Sequence, residues 1–212
     1  MKGTKRMPKN TFFNLDKEKR ERIIGIAIKE FAAKGYKKSS IQSIANNSSV
    51  AKGSMYQYFE SKNELYLYII DLAIQIKIDY MSTLIKENQS LSYFELMEKM
   101  LLTSFNYYTD YPDLYQIYQT IHNEILEDIN IEINEKINEL GHKYNKQLLI
   151  KALENKEVRN DLSIDLASFM VHGLLKNFGT FLINKERFKS DDEWGKYVYQ
   201  FIELLRSGLK ST

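Results

Sequence analysis

Residues 41–58 read Ile-Gln-Ser-Ile-Ala-Asn-Asn-Ser-Ser-Val-Ala-Lys-Gly-Ser-Met-Tyr-Gln-Tyr, and this stretch decides the fold. On either side of a polar break at residues 46–49, apolar residues recur at helical spacing: Ile41, Ile44, Ala45, Val50, Met55 and Phe59. The composition of the break is typical of a tight turn. The pattern therefore predicts two short helices joined by a turn, with Ser39 or Ser40 capping the first and Met55 and Phe59 buried.

A longer amphipathic helix precedes the pair. Its apolar stripe begins near Ile23 and ends near Phe31, and Gly35 follows where a helix C-cap favours glycine. Asn14 is the expected N-cap, and Ser61 with Glu64 forms a capping-box pattern that opens the next helix. A long helix followed by two short ones across a turn is a helix-turn-helix.

The remainder of the chain also favours helices. Only 9 Gly and 2 Pro occur among 212 residues, too few for many short strands and turns. Helices are predicted at about 61–87, 91–109, 113–122, 124–156, 163–184 and 192–209, with Ser163 and Ser190 or Asp191 as caps. We expect an all-α fold of about nine helices: a three-helix head at 1–62 and a larger helical body at 63–212.

Charge is distributed unevenly between these two parts. Residues 1–62 contain 14 Lys and Arg against 5 Asp and Glu, whereas residues 63–212 contain 16 against 23. A basic N-terminus is sometimes only a solubilising tail. Here the charge extends through the patterned helices, which favours a polyanion-binding head because neutralised phosphates release counterions.

Other features exclude several classes of protein. The chain contains no cysteine, which removes disulfide scaffolds and thiolate zinc sites and suits a reducing compartment. No apolar stretch follows the basic N-terminus, so we predict no signal peptide. The most apolar run, residues 65–78, is interrupted by polar side chains and is too short to cross a bilayer. We therefore expect a cytoplasmic protein.

Residues 45–65 resemble the signature of the tetracycline-repressor (TetR) family of bacterial transcriptional regulators. The matching residues are Ile44, Ala45, Val50, Lys52, Gly53, Tyr56, Tyr58, Phe59, Ser61, Lys62 and Leu65. The resemblance covers about residues 12–66 and implies a DNA-binding regulator, most simply a ligand-released repressor that binds a palindromic operator as a homodimer.

Residue types on the second short helix fit a recognition helix. Lys52 and Gln57 have the length to reach base edges, and Gly53 lets the backbone approach DNA closely. Ser54 and Tyr56 are expected to add base or backbone contacts, although Tyr56 is also compatible with half-buried packing.

Additional contacts are expected on both sides of that helix. By resemblance, Tyr58 and Lys62 would hold phosphates. Ser40 and Gln42 are candidates for backbone and flanking-base contacts. Lys5, Arg6 and Lys9 form a basic arm that is expected either to follow the phosphates or to enter a minor groove.

Two residues depart from the family pattern. Ser49 stands where glycine is usual, at a turn position that often requires a positive φ. Ala51 replaces the serine that normally caps the recognition helix, so Ser48 or Ser49 is expected to cap it instead.

The resemblance also implies roles for the body. The last two helices would pair with a second copy, although their apolar stripes could equally complete an intramolecular core. An unidentified small-molecule inducer would bind among Tyr- and Met-rich helices. The candidate ligand residues are Met100, Tyr107, Tyr111, Tyr115, Tyr118, His122, Phe169 and His172.

Signatures of catalysis are scarce. Glu139 and His142 form half of a di-iron carboxylate motif, but His122 and His172 lack the matching glutamate, so we predict no metal, no cofactor and no enzyme. Two alternatives stay open: a helical interaction module without DNA affinity, and a small-molecule-binding or metal-binding helical enzyme.

Overall fold

The computed structural model describes residues 8–123, 127–183 and 191–210, and helices account for the regular structure in these ranges. Their bounds are α1 Asn10–Phe13, α2 Lys17–Lys38, α3 Ile41–Asn47, α4 Lys52–Tyr58, α5 Lys62–Glu87, α6 Tyr93–Asp110, α7 Pro112–Asn123, α8 Glu127–Glu154, α9 Ile164–Ile183 and α10 Asp191–Leu209. The only β-type pairing in the described ranges is an isolated antiparallel bridge between Val158 and Lys210. The all-α prediction is confirmed.

The nine predicted helices correspond to α2–α10, and α1 is an additional short helix. Residues 10–13 lie outside the predicted helices, but they form a helical turn in which Phe12 is buried. In α2 the regular helix is interrupted at Gly35, which has φ 67°. This conformation explains the glycine, since a Cβ would be strained there.

The caps of α3 and α5 agree with the prediction, whereas the cap of α2 requires a correction. Asp16, not Asn14, is the N-cap of α2, and its carboxylate accepts a hydrogen bond from Lys19 N at 2.8 Å. Ser40 caps α3 through Ser43 N, and Ser61 Oγ accepts from Glu64 N at 3.1 Å. These bonds satisfy amide groups that a helix start leaves without partners.

The chain forms two compact units. The first comprises Met1–Asp79 and Tyr108–Asn130. In this unit α2 packs against α3 and α7, and α3 packs against α4. Its core is apolar and includes Phe12, Ile23, Phe31, Ile44, Met55, Phe59, Leu65, Tyr66 and Ile69. The helix-turn-helix packs against this core through the buried faces of α3 and α4.

The second unit comprises Tyr80–Tyr107 and Ile131–Thr212. Its core combines residues from four helices: Tyr93, Phe94 and Met97 of α6, Leu149 and Ala152 of α8, Ala167 and Val171 of α9, and Trp194, Val198, Ile202 and Leu205 of α10. The apolar stripe of α10 thus completes an intramolecular core. The apolar residues of α9 lie on two faces. Ala167 and Val171 are buried in this core, whereas Leu166, Phe169, Met170 and Leu174 are exposed.

The first unit extends further than the predicted head, because it includes α5 as far as Asp79 and also contains α7. Compact units defined by contacts are not necessarily domains that fold alone, so the division at residue 62 stays a prediction.

Among the described residues, no helix combines the length and apolar character needed to cross a membrane. The same residues contain no cluster of three or more His, Asp or Glu side chains arranged around a metal site.

Candidate nucleic-acid interface

The turn between α3 and α4 has the predicted unusual backbone. Ser49 has φ 56°, the left-handed conformation predicted for this turn position. Two backbone hydrogen bonds close the turn, from Ser49 N to Asn46 O at 3.2 Å and from Val50 N to Ala45 O at 2.9 Å. The turn therefore keeps its geometry without the usual glycine, at some cost in backbone strain.

Capping of α4 differs from the prediction. Ala51 occupies the N-cap position and no side chain caps the helix. Ser48 is buried, and its hydroxyl donates instead to the Ile44 carbonyl at 2.6 Å. The expectation that Ser48 or Ser49 takes over capping is therefore wrong, and the turn backbone with core packing defines the start of α4.

The two faces of α4 are clearly distinguished. Met55 is 1% exposed and faces the core of the first unit. Lys52, Tyr56 and Gln57 are exposed, and Tyr56 retains 45% of its accessible surface. Ser54 is partly buried. The exposed face thus combines a cation, an aromatic hydroxyl and an amide, which together can donate to and accept from base edges.

Gly53 has no intramolecular reason to be glycine. A Cβ built at this position meets no atom within 4 Å, and the backbone φ is not positive. Alanine would also favour the helix. The open space in front of Gly53 fits the prediction that another molecule's backbone approaches here.

Tyr58 does not fit the predicted phosphate contact. Its side chain is 6% exposed, and its ring lies 6.0 Å from that of Phe12. Tyr58 is a packing residue in an aromatic cluster that also contains Phe59 and Tyr68.

Lys62 also has a different role from the one predicted. Its ammonium donates hydrogen bonds to the backbone carbonyls of Tyr36 at 2.7 Å and Ser39 at 3.1 Å, and it lies 3.4 Å from the carbonyl of Lys37. These acceptors use the three protons of the ammonium. Lys62 therefore binds the C-terminal end of α2, and a phosphate would have to displace these bonds.

The predicted contacts on α3 remain exposed, and each has a local partner. Ser40 Oγ caps the helix, and the side-chain amide of Gln42 donates to Asn46 Oδ1 at 2.8 Å. Both residues are compatible with a DNA contact at the edge of the interface. Lys5 and Arg6 of the predicted arm lie outside the described residues.

Three further residues support the helix-turn-helix through bonds that the sequence did not predict, and one of them, Lys9, was expected only as part of the basic arm. The Arg22 guanidinium donates to the Ser48 carbonyl at 3.2 Å, which links α2 to the turn. The Lys9 ammonium and the Thr11 hydroxyl donate to the Tyr56 and Gln57 carbonyls. Because all these acceptors are backbone atoms, the sequence pattern contained no signal for the pairs.

A buried carboxylate joins α2 to the start of α3. Glu30 accepts hydrogen bonds from Lys34 Nζ at 2.9 Å, Ser43 Oγ at 2.9 Å and Ser40 N at 3.3 Å. Burial raises the pKa of Glu30, but the bonds from Lys34, Ser43 and Ser40 outweigh it, so the net pKa lies below its ordinary value. Glu30 is therefore ionised at neutral pH.

The predicted ligand residues are divided between the two units. Tyr111 and Tyr115 belong to the first unit, and Met100, Tyr107, Phe169 and His172 belong to the second. The side chains of Tyr118 and His122 lie outside the described part of the structure. Phe169 is 71% exposed, so it is not enclosed in a pocket of this chain.

His172 packs close to α8. Its ring lies 6.2 Å from that of His142, and a Cβ added to Gly141 would come within 2.6 Å of His172 Cε1. Burial lowers the pKa of His172, and His142 and Lys176 lower it further. The imidazole is therefore neutral at physiological pH.

A cavity of about 250 Å³ lies within the second unit. Its walls include Asn88, Tyr93, Leu148, Lys151 and Glu157, and it contains none of the predicted ligand residues. The predicted ligand set stays a prediction, with Phe169 removed.

Comparison with known proteins agrees with the geometry. Residues 23–69 match the family model described as bacterial regulatory proteins, tetR family, and this range covers the helix-turn-helix and the start of α5. The chain is 28% identical to the uncharacterized HTH-type transcriptional regulator YerO of Bacillus subtilis, over 91% of this chain and 66% of that protein. It is 25% identical to the fatty acid metabolism regulator protein of Bacillus subtilis, over 88% of this chain and 93% of that protein.

A solved structure extends this similarity beyond the first helices. A TetR family transcriptional regulator from Chloroflexus aurantiacus is 27% identical and superimposes with a TM-score of 0.65. The superposition covers 97% of this chain and 100% of that chain. With an exposed face of α4 on the matched helix-turn-helix, these similarities lead to one conclusion: residues 23–69 form a tetR-type DNA-binding region, and the chain is a DNA-binding transcriptional regulator similar along its length to TetR family regulators.

Proposed function

We propose that the chain is a ligand-released repressor that binds a palindromic operator as a homodimer and reads it with α4. The observation that carries the proposal is the exposed face of α4, where Lys52 and Gln57 stand on either side of an open Gly53. Repression is the direction suggested by the family, which takes its name from a repressor.

The charge of the N-terminal region supports DNA as the partner. The excess of nine positive charges in residues 1–62 provides sequence-independent attraction to phosphates. Sequence preference then has to come from base-edge contacts, for which Lys52 and Gln57 have suitable side chains. The rival class, a helical interaction module without DNA affinity, gives no reason for an exposed basic and amide face on a helix-turn-helix.

The exposed apolar stripe of α9 supports a homodimer. Leu166, Phe169, Met170 and Leu174 occupy positions i, i+3, i+4 and i+8, so they share one face of the helix. Their exposed fractions are 57%, 71%, 55% and 46%. Since a soluble monomer rarely exposes a contiguous apolar patch of this kind, we assign this face to a second copy of the chain. Leu204 of α10, which is 75% exposed, is the expected extension of the interface.

Release from the operator by a small molecule is the third part of the proposal. The candidate ligand residues remain Met100, Tyr107, Tyr111, Tyr115, Tyr118, His122 and His172. One relative is named a fatty acid metabolism regulator, so fatty acids and their metabolic derivatives are the first compounds to test. A ligand that binds only the DNA-free form would reduce operator affinity by its differential binding energy.

The DNA-reading step is tested by selecting bound oligonucleotides from a random pool and titrating the selected operator in gel shifts. We expect a palindromic sequence, and we expect Lys52→Ala and Gln57→Ala to change the selected bases. The matched controls are Lys143→Ala and Gln147→Ala, which alter the same residue types at exposed positions of α8. Unchanged base preference in both α4 variants would contradict the role of α4.

The dimer is tested by sedimentation of Phe169→Glu, which places a charge in the proposed interface. We expect a monomer that folds normally and binds a single half-site weakly. Ile150→Glu is the control, because Ile150 is an exposed apolar residue of α8. A wild-type protein that sediments as a monomer at micromolar concentration would contradict this part of the proposal.

A further inference from the structure

The last turn of α4 has carbonyl groups that its own helix cannot satisfy. A seven-residue helix ends at Tyr58, and only the Met55 carbonyl accepts from the following backbone, through Phe59 N at 2.8 Å. A helix of this length is only marginally stable by itself, so hydrogen bonds to its terminal backbone groups contribute to its stability.

The segment that precedes α2 supplies the missing donors. Lys9 N donates to Tyr58 O at 2.9 Å, Lys9 Nζ donates to Tyr56 O at 3.2 Å, and the Thr11 hydroxyl donates to Gln57 O. Each of the last four carbonyls of α4 therefore has a donor, and three of these donors come from residues about 46 positions earlier in the chain.

Phe12 holds this segment in place. Its side chain is fully buried, and its ring lies 4.8 Å from that of Phe59 and 5.7 Å from that of Tyr68. The aromatic packing fixes the position of α1 against α4. The donors on Lys9 and Thr11 are thus presented by an anchored element and do not depend on a free tail.

We infer that Lys9–Phe12 forms a C-terminal cap for the recognition helix, and that Thr11 is a positioning residue for sequence-specific DNA binding. The inference rests on the proposed DNA-reading role of α4. The Thr11 bond reaches the backbone of Gln57, whose side chain is the proposed base reader. Loss of the bond would leave that carbonyl without its protein donor and let the last turn of α4 fray.

Positioning has a different signature from direct DNA contact. A residue that contacts phosphate changes affinity for every sequence and alters the salt dependence of binding. A residue that only orients α4 lowers affinity for the operator while affinity for unrelated DNA and the salt dependence stay the same. Thr11 is uncharged and exposed, so replacing it changes neither the net charge nor the core.

The test compares full-length Thr11→Val, Thr11→Ser and wild-type protein on the selected operator and on unrelated DNA, with thermal unfolding measured in parallel. We expect T11V to bind the operator about three- to tenfold more weakly, with unrelated DNA and the salt slope unchanged. T11S keeps the hydroxyl and should restore affinity to within about twofold of wild type. Amide hydrogen exchange in α4 should be faster in T11V and normal in T11S.

Two results would overturn the inference: wild-type operator affinity in T11V, or an equal loss on operator and unrelated DNA. Failure of the proposed function is recognised separately, because wild-type protein would then show no operator preference at all. That result appears before any Thr11 variant is measured.

Discussion

The ammonium of Lys62 lies 2.7 Å from the Tyr36 carbonyl oxygen and 4.3 Å from the centroid of the Tyr36 ring. Lys62 begins α5, and Tyr36 follows the break at Gly35 in α2. The Lys62 ammonium therefore donates to backbone carbonyls at the end of α2 and packs on the Tyr36 ring. These contacts connect α2 to α5, the helix that follows α4.

Lys62→Met should destabilise the protein. The three backbone carbonyls lose a charged donor, so we expect the free energy of unfolding in urea to fall by about 1–3 kcal/mol. The slope of log affinity against log salt should stay unchanged, whereas loss of a phosphate contact would reduce it by about 0.9. Lys143→Met, at an exposed position of α8, is the control and should leave stability close to wild type. If Lys62→Met had a smaller salt slope and wild-type stability, Lys62 would instead be a phosphate contact.

Gly53→Ala should separate folding from DNA binding. The methyl group meets open space in the protein, and alanine favours a helix, so stability should be equal to or up to about 1 kcal/mol above wild type. Operator affinity should fall about tenfold or more, because the methyl group occupies the approach of the DNA backbone. Gly208→Ala makes the same change in α10, also into open space, and should leave DNA binding intact. Wild-type affinity in G53A would argue against close approach of DNA at this helix.

Glu30→Gln should change how stability depends on pH. The pKa of Glu30 is depressed in the folded protein, so its stabilising contribution is present above the unfolded value near 4.5 and is lost as pH falls through the folded pKa. We expect E30Q to be less stable than wild type at pH 7 and the difference to narrow on acidification to pH 3. Urea unfolding between pH 3 and pH 7 measures the difference in stability between E30Q and wild type. Glu21→Gln alters an exposed glutamate of α2 and should leave the pH profile unchanged; a constant difference between E30Q and wild type would contradict the prediction.

Ser49→Gly should relieve backbone strain in the turn. A non-glycine residue at φ 56° carries a steric cost that glycine avoids, so we expect a gain in stability of up to about 1 kcal/mol. Ser49→Ala retains the Cβ and should show no gain, and operator affinity of S49G should equal or exceed that of wild type. A loss of stability in S49G would mean that the serine hydroxyl contributes more than the backbone conformation costs.

The sequence determined the order of the helices and the helix-turn-helix. It also determined that Met55 and Phe59 are buried, because the spacing of apolar residues indicates which face of a helix is buried. The family resemblance also identified Ser49 as a residue in an unusual conformation, since it stands where glycine is usual at a turn position that often requires positive φ. The resemblance to the TetR family was likewise readable from residues 45–65, where the matching residues are closely spaced.

Only the tertiary structure decided what several polar residues bind. Lys62, Lys9 and Thr11 bond to backbone carbonyls, and a carbonyl exists at every residue whatever its side chain, so no sequence pattern marks the partner. The tertiary structure also divided the apolar residues of α9 and α10 between an internal core and an exposed stripe. Helical periodicity shows that a face is apolar, but what covers that face depends on how the helices pack in space.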